Sequence, residues 1–221
     1  MPISYATRNK LKPLIKNNIN TDDIITDQLI WHDNINCINE DDYIIVNTVD
    51  FLTLLMKEND IISVLISDIK ELDINILSSI DSIEHIRLEA IESITFGSFN
   101  NNLKFLEINY CALNYPPIIP NGLIILNLSM NLIDSLEYME MPSSLKKINL
   151  NDNHFKIFPI LSDTLEEVYL CNNYLEEIGK LPQNIKKLFI GNNFITKQSI
   201  IPNTIISDIN NNPIDTILLE V

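Results

Sequence analysis

Residues 120–133 read PNGLIILNLSMNLI, and the same phrase returns as PSSLKKINLNDNHF from Pro142, SDTLEEVYLCNNYL from Ser162 and PQNIKKLFIGNNFI from Pro182. The shared form is P-x-x-L-x-x-L-x-L-x-x-N-x-L. Its first apolar positions are Leu123, Leu145, Leu165 and Ile185, so the period is about 20 residues, once 22. A period of this length signals a solenoid, in which each copy buries its apolar side only against its neighbours. Each L-x-L core is short, alternating and aliphatic, as a half-buried strand should be. Extending the period backward recovers Leu103-x-x-Leu106-x-Ile108, Ile83-x-x-Ile86-x-Leu88 and Ile61-x-x-Val64-x-Ile66, with a weaker first copy around Ile44 and Val46. Eight strands at this spacing imply one continuous parallel sheet. A final copy after Pro202 fits only with one deleted residue, which brings Ile209 and Asn212 into the pattern.

The phrase resembles the leucine-rich repeat family, in the short Pro-x-x-Leu type found in bacterial effectors and in repeat proteins of large DNA viruses and amoebae. The resemblance covers residues 41–215 and is densest over 103–195. It implies an α/β fold: a right-handed solenoid with a parallel β-sheet on its concave face. Apolar-Pro pairs (Ile119-Pro120, Met141-Pro142, Leu181-Pro182, Ile201-Pro202) predict extended arms in the C-terminal turns, because proline restricts itself and its predecessor. The arms TVDFLTLLMKEND and IKELDINILSSIDS read as helical, so the N-terminal turns should carry helical arms and curve more strongly. The domain reading is an N-terminal helical cap over 1–39, repeats over 40–212 and a C-terminal cap over 213–221. Trp31 should pack over the first end of the array.

Position nine of the phrase reads Val49, Ile69, Ile91, Cys111, Asn131, Asn153, Asn173 and Asn193, followed by Asn212 across the gap. A chain that turns sharply out of a strand leaves buried N–H and C=O groups, and a carboxamide offers two donors and an acceptor to them. Asn131, Asn153, Asn173 and Asn193 are therefore structural. The resemblance gives Cys111 the same role.

Strand residues that alternate with the core face outward. Their central column is Arg87, Glu107, Asn127, Asn149, Tyr169 and Phe189, and this column is the candidate partner-binding surface. Lys146-Lys147, Glu166-Glu167 and Lys186-Lys187 fall on adjacent strands, so opposite charges should pair across the sheet. Tyr169 and Phe189 lie side by side beside Cys171 and Gly191, the arrangement of an interface hot spot.

Ile and Asn supply about a third of the 221 residues and glycine only 4, the bias of an AT-rich coding genome. A viral or microbial source that engages a host protein is the expectation attached to that bias. The net charge of −15 disfavours phosphate backbones and anionic membranes as partners. The three cysteines have no C-x-x-C spacing, which argues against a disulfide framework or a zinc site and for a reducing compartment. No secretory h-region or long apolar run is visible, so the protein is expected to be cytoplasmic. No phosphate-binding glycine loop, nucleophile elbow or metal-spaced histidine pair occurs, so no catalytic, cofactor or metal residues are assigned and no enzyme activity is expected. The chain ends at Val221, and no ubiquitin-ligase domain of the kind that follows similar repeats in some effectors is expected. The function implied by the resemblance is non-enzymatic protein–protein interaction through the concave face. The alternative is a substrate-recognition adaptor whose N-terminal segment recruits an enzyme such as a ubiquitin ligase.

Overall fold

The computed structural model describes residues 44–46, 63–78, 80–196, 201–202, 204–213 and 219–220. The expected caps at 1–39 and 213–221, the packing of Trp31, Val49 and the first proposed helical arm lie outside the described residues, apart from Pro213 and the short strand at 219–220.

The P-x-x-L that opens each copy is a β-turn. The N–H of Leu123, Leu145, Ile185 and Ile205 donates to the carbonyl of Pro120, Pro142, Pro182 and Pro202, at 3.1, 3.0, 3.3 and 3.0 Å, and Leu165 does the same to Ser162 at 3.2 Å. Each turn delivers the chain into a strand. The strands of the main sheet are β1 (Ile44–Val46), β2 (Ser63–Ser67), β4 (His85–Glu89), β6 (Phe105–Asn109), β7 (Ile125–Asn127), β8 (Lys147–Asn149), β9 (Glu167–Tyr169), β10 (Lys187–Phe189) and β12 (Ile206–Asp208). They lie side by side in chain order, all parallel. Ile44, Val64, Ile86, Leu106, Leu126, Ile148, Val168 and Leu188 stand in one register file, as the repeat requires.

The file continues onto Ser207, not an aliphatic residue. The last turn is one residue short, and Ser207 takes the place Leu188 has in the turn before it. The one-residue gap read from the sequence is therefore real, and it leaves an exposed hydroxyl at a core position.

Two inward files build the interior. Val64, Ile86, Leu106, Leu126, Ile148, Val168 and Leu188 form one, and Ile66, Leu88, Ile108, Leu128, Leu150, Leu170 and Ile190 form the other, every member fully buried. Ile133, Phe155, Leu175 and Ile195 extend the core beyond the turn exit. Full burial of one such side chain stabilises by roughly 1.5–3 kcal/mol, an upper estimate because the unfolded chain is already partly compact.

The arms depart from expectation in one place. The arm over 69–82 carries a short strand, β3 (Glu71–Asp73), and only one helical turn, Asn75–Ser78. β3 pairs in parallel with β5 (Ser93–Thr95) of the next arm, in the register Glu71↔Ser93, Leu72↔Ile94, Asp73↔Thr95. Leu72 and Ile74 point into the core, and strand pairing between arms, not helix, satisfies the backbone there. Where position nine carries Ile69 and Ile91 and no carboxamide, Glu92 N donates to Ile69 O at 3.3 Å and Ser93 N to Lys70 O at 2.9 Å, tying the two turns together. Further along, the arms over 113–119, 132–144, 154–164 and 174–184 contain no helix. A third small ladder pairs β11 (Ile201–Pro202) with β13 (Leu219–Glu220). Among the described residues, no helix is long and apolar enough to cross a membrane.

Candidate functional site

The carboxamide file fixes the edge of the sheet. Asn153 Oδ1 accepts from Ile133 N at 3.0 Å, while its Nδ2 donates to the carbonyls of Leu128, Leu150 and Asn151 at 2.9, 3.2 and 3.1 Å. Asn173 repeats the set with Phe155 N, Leu150 O, Leu170 O and Cys171 O, and Asn193 with Leu175 N, Leu170 O, Ile190 O and Gly191 O. Asn212 repeats it again, despite the shortened turn. Asn131 accepts two N–H groups, those of Cys111 (3.2 Å) and Leu113 (3.1 Å). Each carboxamide thus ties its own turn to the one before. Cys111 occupies the equivalent site with its thiol donating to Asn109 O at 3.1 Å, and burial pushes that thiol up to about 11.

One residue before this file the backbone is left-handed. Asp68, Ala90, Tyr110, Met130, Asp152, Asn172, Asn192 and Asn211 all have φ between 50° and 59°. The N–H of Met130, Asp152, Asn172 and Asn192 donates to the carbonyl of Asn151, Cys171, Gly191 and Asn210 in the following turn. Left-handed backbone suits Gly, Asn and Asp, and costs other residues about 1–2 kcal/mol. The sequence reading missed this file. Its signal is the run of Asp152, Asn172, Asn192 and Asn211 just before the structural Asn, which abundant Asn conceals.

The six candidate residues Arg87, Glu107, Asn127, Asn149, Tyr169 and Phe189 stand directly opposite one another on successive strands, so the structure gathers all of them into one file. The first four are already engaged with one another or with the strand ends. Arg87 Nε donates to Glu89 Oε1 at 2.8 Å and lies 3.7 Å from Glu107 Oε2. Glu107 Oε1 accepts from the carboxamides of Asn109 and Asn127, the latter at 2.9 Å. Asn127 and Asn149 each turn Oδ1 back onto the N–H two residues on, at 3.0 Å. Glu107, Asn127 and Asn149 are buried, whereas Arg87, Tyr169 and Phe189 remain half-buried. Burial pushes the Glu107 carboxyl up, against the opposing pull of Arg87, and its Oε2 makes no hydrogen bond.

The aromatic end is differently built. The rings of Tyr169 and Phe189 are stacked, with centroids 5.0 Å apart and planes within 4°. Tyr169 donates its hydroxyl to Glu167 Oε2 at 2.9 Å, and Lys147 Nζ sits 5.3 Å from the tyrosine ring centre. Lys147 and Lys187 each lie 3.0 Å from the Glu167 carboxylate, and Lys146 and Lys186 flank Glu166 in the same way. The charge alternation read from the sequence therefore forms two Lys–Glu–Lys bridges across β8, β9 and β10. Burial opposes the Glu167 charge, yet the hydrogen bonds from both lysines and from Tyr169 prevail and hold its carboxyl below the usual range. Burial and donation to Glu167 push the Tyr169 hydroxyl far up. Cys171 is half-buried beside them, and burial raises its thiol, which keeps it protonated. Asn127-Leu-Ser129 has the form of an N-glycosylation sequon, and all three residues are buried.

A second aromatic file escaped the sequence reading. It is formed by the residue that follows Asn153, Asn173 and Asn193: His154, Tyr174 and Phe194. His154 and Tyr174 have ring centroids 5.7 Å apart, and Tyr174 stacks on Phe194 at 6.0 Å and 5°. Among the described residues, no group of three or more His, Cys, Asp or Glu could hold a metal ion.

No family model and no curated protein matches the sequence. Among solved structures, YopM from Yersinia enterocolitica WA-314 is similar, with 20% identity and a TM-score of 0.49, over 69% of this chain and 37% of that one. This chain thus spans well under half of that protein's length. On its own geometry, with in-register parallel strands at this period and inward carboxamides closing each rung, the described chain is a parallel β-solenoid.

Proposed function

We propose that the chain is a non-enzymatic protein-interaction module of the short Pro-x-x-Leu repeat type, and that it binds a protein partner through the concave outward face of its main sheet. The observation that carries this is the stacked Tyr169–Phe189 pair, set among Lys147, Glu167 and Lys187. Paired aromatics held flat by their neighbours offer contact area at little entropic cost, and a charged surround is the usual rim of a hot spot. The internally bonded stretch from Arg87 to Asn149 makes the platform rigid and leaves contact to the aromatic end. The free thiols of Cys111 and Cys171 support an intracellular setting, and the composition supports a microbial protein acting on a host partner.

The test is crosslinking from the wild-type chain and from a Tyr169→Ser plus Phe189→Ser variant. A partner recovered by the wild type and lost with the variant supports the reading. Full recovery by the variant, with unchanged thermal unfolding, overturns it.

A further inference from the structure

We propose a second interaction surface on the turn-exit edge of the solenoid, which takes a basic, aliphatic peptide segment of a partner protein. It is separate from the sheet face and does not depend on the reading given for that face.

Three successive turns form a cleft of about 1140 Å³ on this edge. Asp134 to Glu137 of one turn, His154 to Ile160 of the next and Tyr174 of the third line it. Its apolar content is unusually open to solvent. Ile157 and Ile160 are 79% and 95% exposed, while Tyr174 and Phe194, stacked beyond them, are 45% and 55% exposed. Isolated exposed aliphatics are ordinary, but a contiguous set that joins a stacked aromatic file marks a contact surface. The Tyr174 hydroxyl makes no hydrogen bond among the described residues, in contrast to that of Tyr169. The surface is therefore not committed to an internal network.

Charge selects the occupant. Asp134 and Glu137 line the cleft, with Lys156 the one lysine among its lining residues. Long-range attraction from a chain of net charge −15 adds to this local excess. Exposed isoleucines call for aliphatic side chains, and the carboxylates call for Lys or Arg between them. An anionic peptide or a phosphate backbone meets repulsion at the same place.

The probe is a fluorescein-labelled peptide alternating Lys and Leu, followed by fluorescence anisotropy at low salt, with a Glu/Leu peptide as control. The wild-type chain should bind the Lys/Leu peptide in a salt-sensitive way and should not bind the Glu/Leu peptide. Ile157→Ser, Ile160→Ser and Tyr174→Ser together should weaken binding by about tenfold or more. Tyr169→Ser plus Phe189→Ser should leave it within about twofold. Asp134→Lys plus Glu137→Lys should weaken the Lys/Leu peptide and strengthen the Glu/Leu one, which a merely misfolded variant would not do. No binding by the wild type overturns the proposal, as does equal loss in the edge and sheet variants. Sedimentation supplies the last outcome: self-association that the edge variant abolishes, without peptide binding, would make a second copy the occupant and overturn it too.

Discussion

Replacing Asn153 with Ala should destabilise the chain by about 1–3 kcal/mol, and the bonding pattern says where that cost arises. The side chain is 2% exposed and makes four hydrogen bonds. Its three carbonyl partners each keep another donor: Leu128 O has Asn131 Nδ2 at 3.1 Å, Leu150 O has Asn173 Nδ2 at 3.0 Å, and Asn151 O has Met130 N at 3.0 Å. Among the described residues the Ile133 N–H has no second acceptor. The loss is therefore dominated by one orphaned buried donor, not by a sum over four bonds. The same accounting makes Asn131→Ala the costlier change, because it orphans the N–H groups of both Cys111 and Leu113. Asn153→Asp should be harmful at neutral pH, where a carboxylate would face three carbonyl oxygens, and should recover as acid protonates it. Urea titration followed by far-ultraviolet circular dichroism measures all three. A loss below about 0.5 kcal/mol for Asn153→Ala, or a smaller loss for Asn131→Ala than for Asn153→Ala, would refute the reasoning.

Met130 sits at φ 58°, and Met130→Asn should stabilise by about 0.5–1 kcal/mol, read as a raised urea midpoint with unchanged slope. Glu167→Gln should cost about 1–2 kcal/mol at neutral pH, because it leaves the buried Lys147 ammonium without its carboxylate; the figure is below that of a fully buried pair because Glu167 is partly exposed. Glu167 has a lowered folded value, so its contribution is present above the ordinary carboxylate range and is lost as pH falls through that lowered value; unfolding measured from neutral to acid should show less acid sensitivity in the Gln variant. Glu107 has the opposite sign. Its raised folded value favours the protonated form in the native state, so its contribution is present in acid and is lost as pH rises through the raised value. Relative to Glu107→Gln, the wild type should therefore gain stability on acidification, and a pH series of thermal midpoints checks it.

Much of the architecture was legible because the strands and the carboxamide file impose strict spacing on strong signals. Leu126 to Ile148, the 22-residue step, is in register in the structure as it is in the phrase. The sequence reads the arm that starts at Ile69 as helical. The structure supplies a second strand ladder instead, and short runs such as Glu71–Asp73 carry too little periodicity to separate the two possibilities. The left-handed file was hidden for another reason: Ala90, Tyr110 and Met130 give no hint of positive φ, and neighbouring turns impose it on them. At the candidate site, the alignment of Tyr169 with Phe189 followed from register alone. The burial of Glu107, Asn127 and Asn149 did not, because it arises from side chains on adjacent strands folding onto one another.

The carboxamide file has a consequence for how such a chain can change length. Asn173 and Asn193 each reach back to a carbonyl of the preceding rung at an equivalent place, Leu150 O and Leu170 O. Excision of residues 154–173 would join Asn153 to Tyr174 and present Leu150 O to Asn193 where Leu170 O had been. Leu175 N would still meet Asn193 as before. Whole rungs are thus interchangeable parts, and a chain built this way can lengthen or shorten by unequal recombination without inventing a new joint.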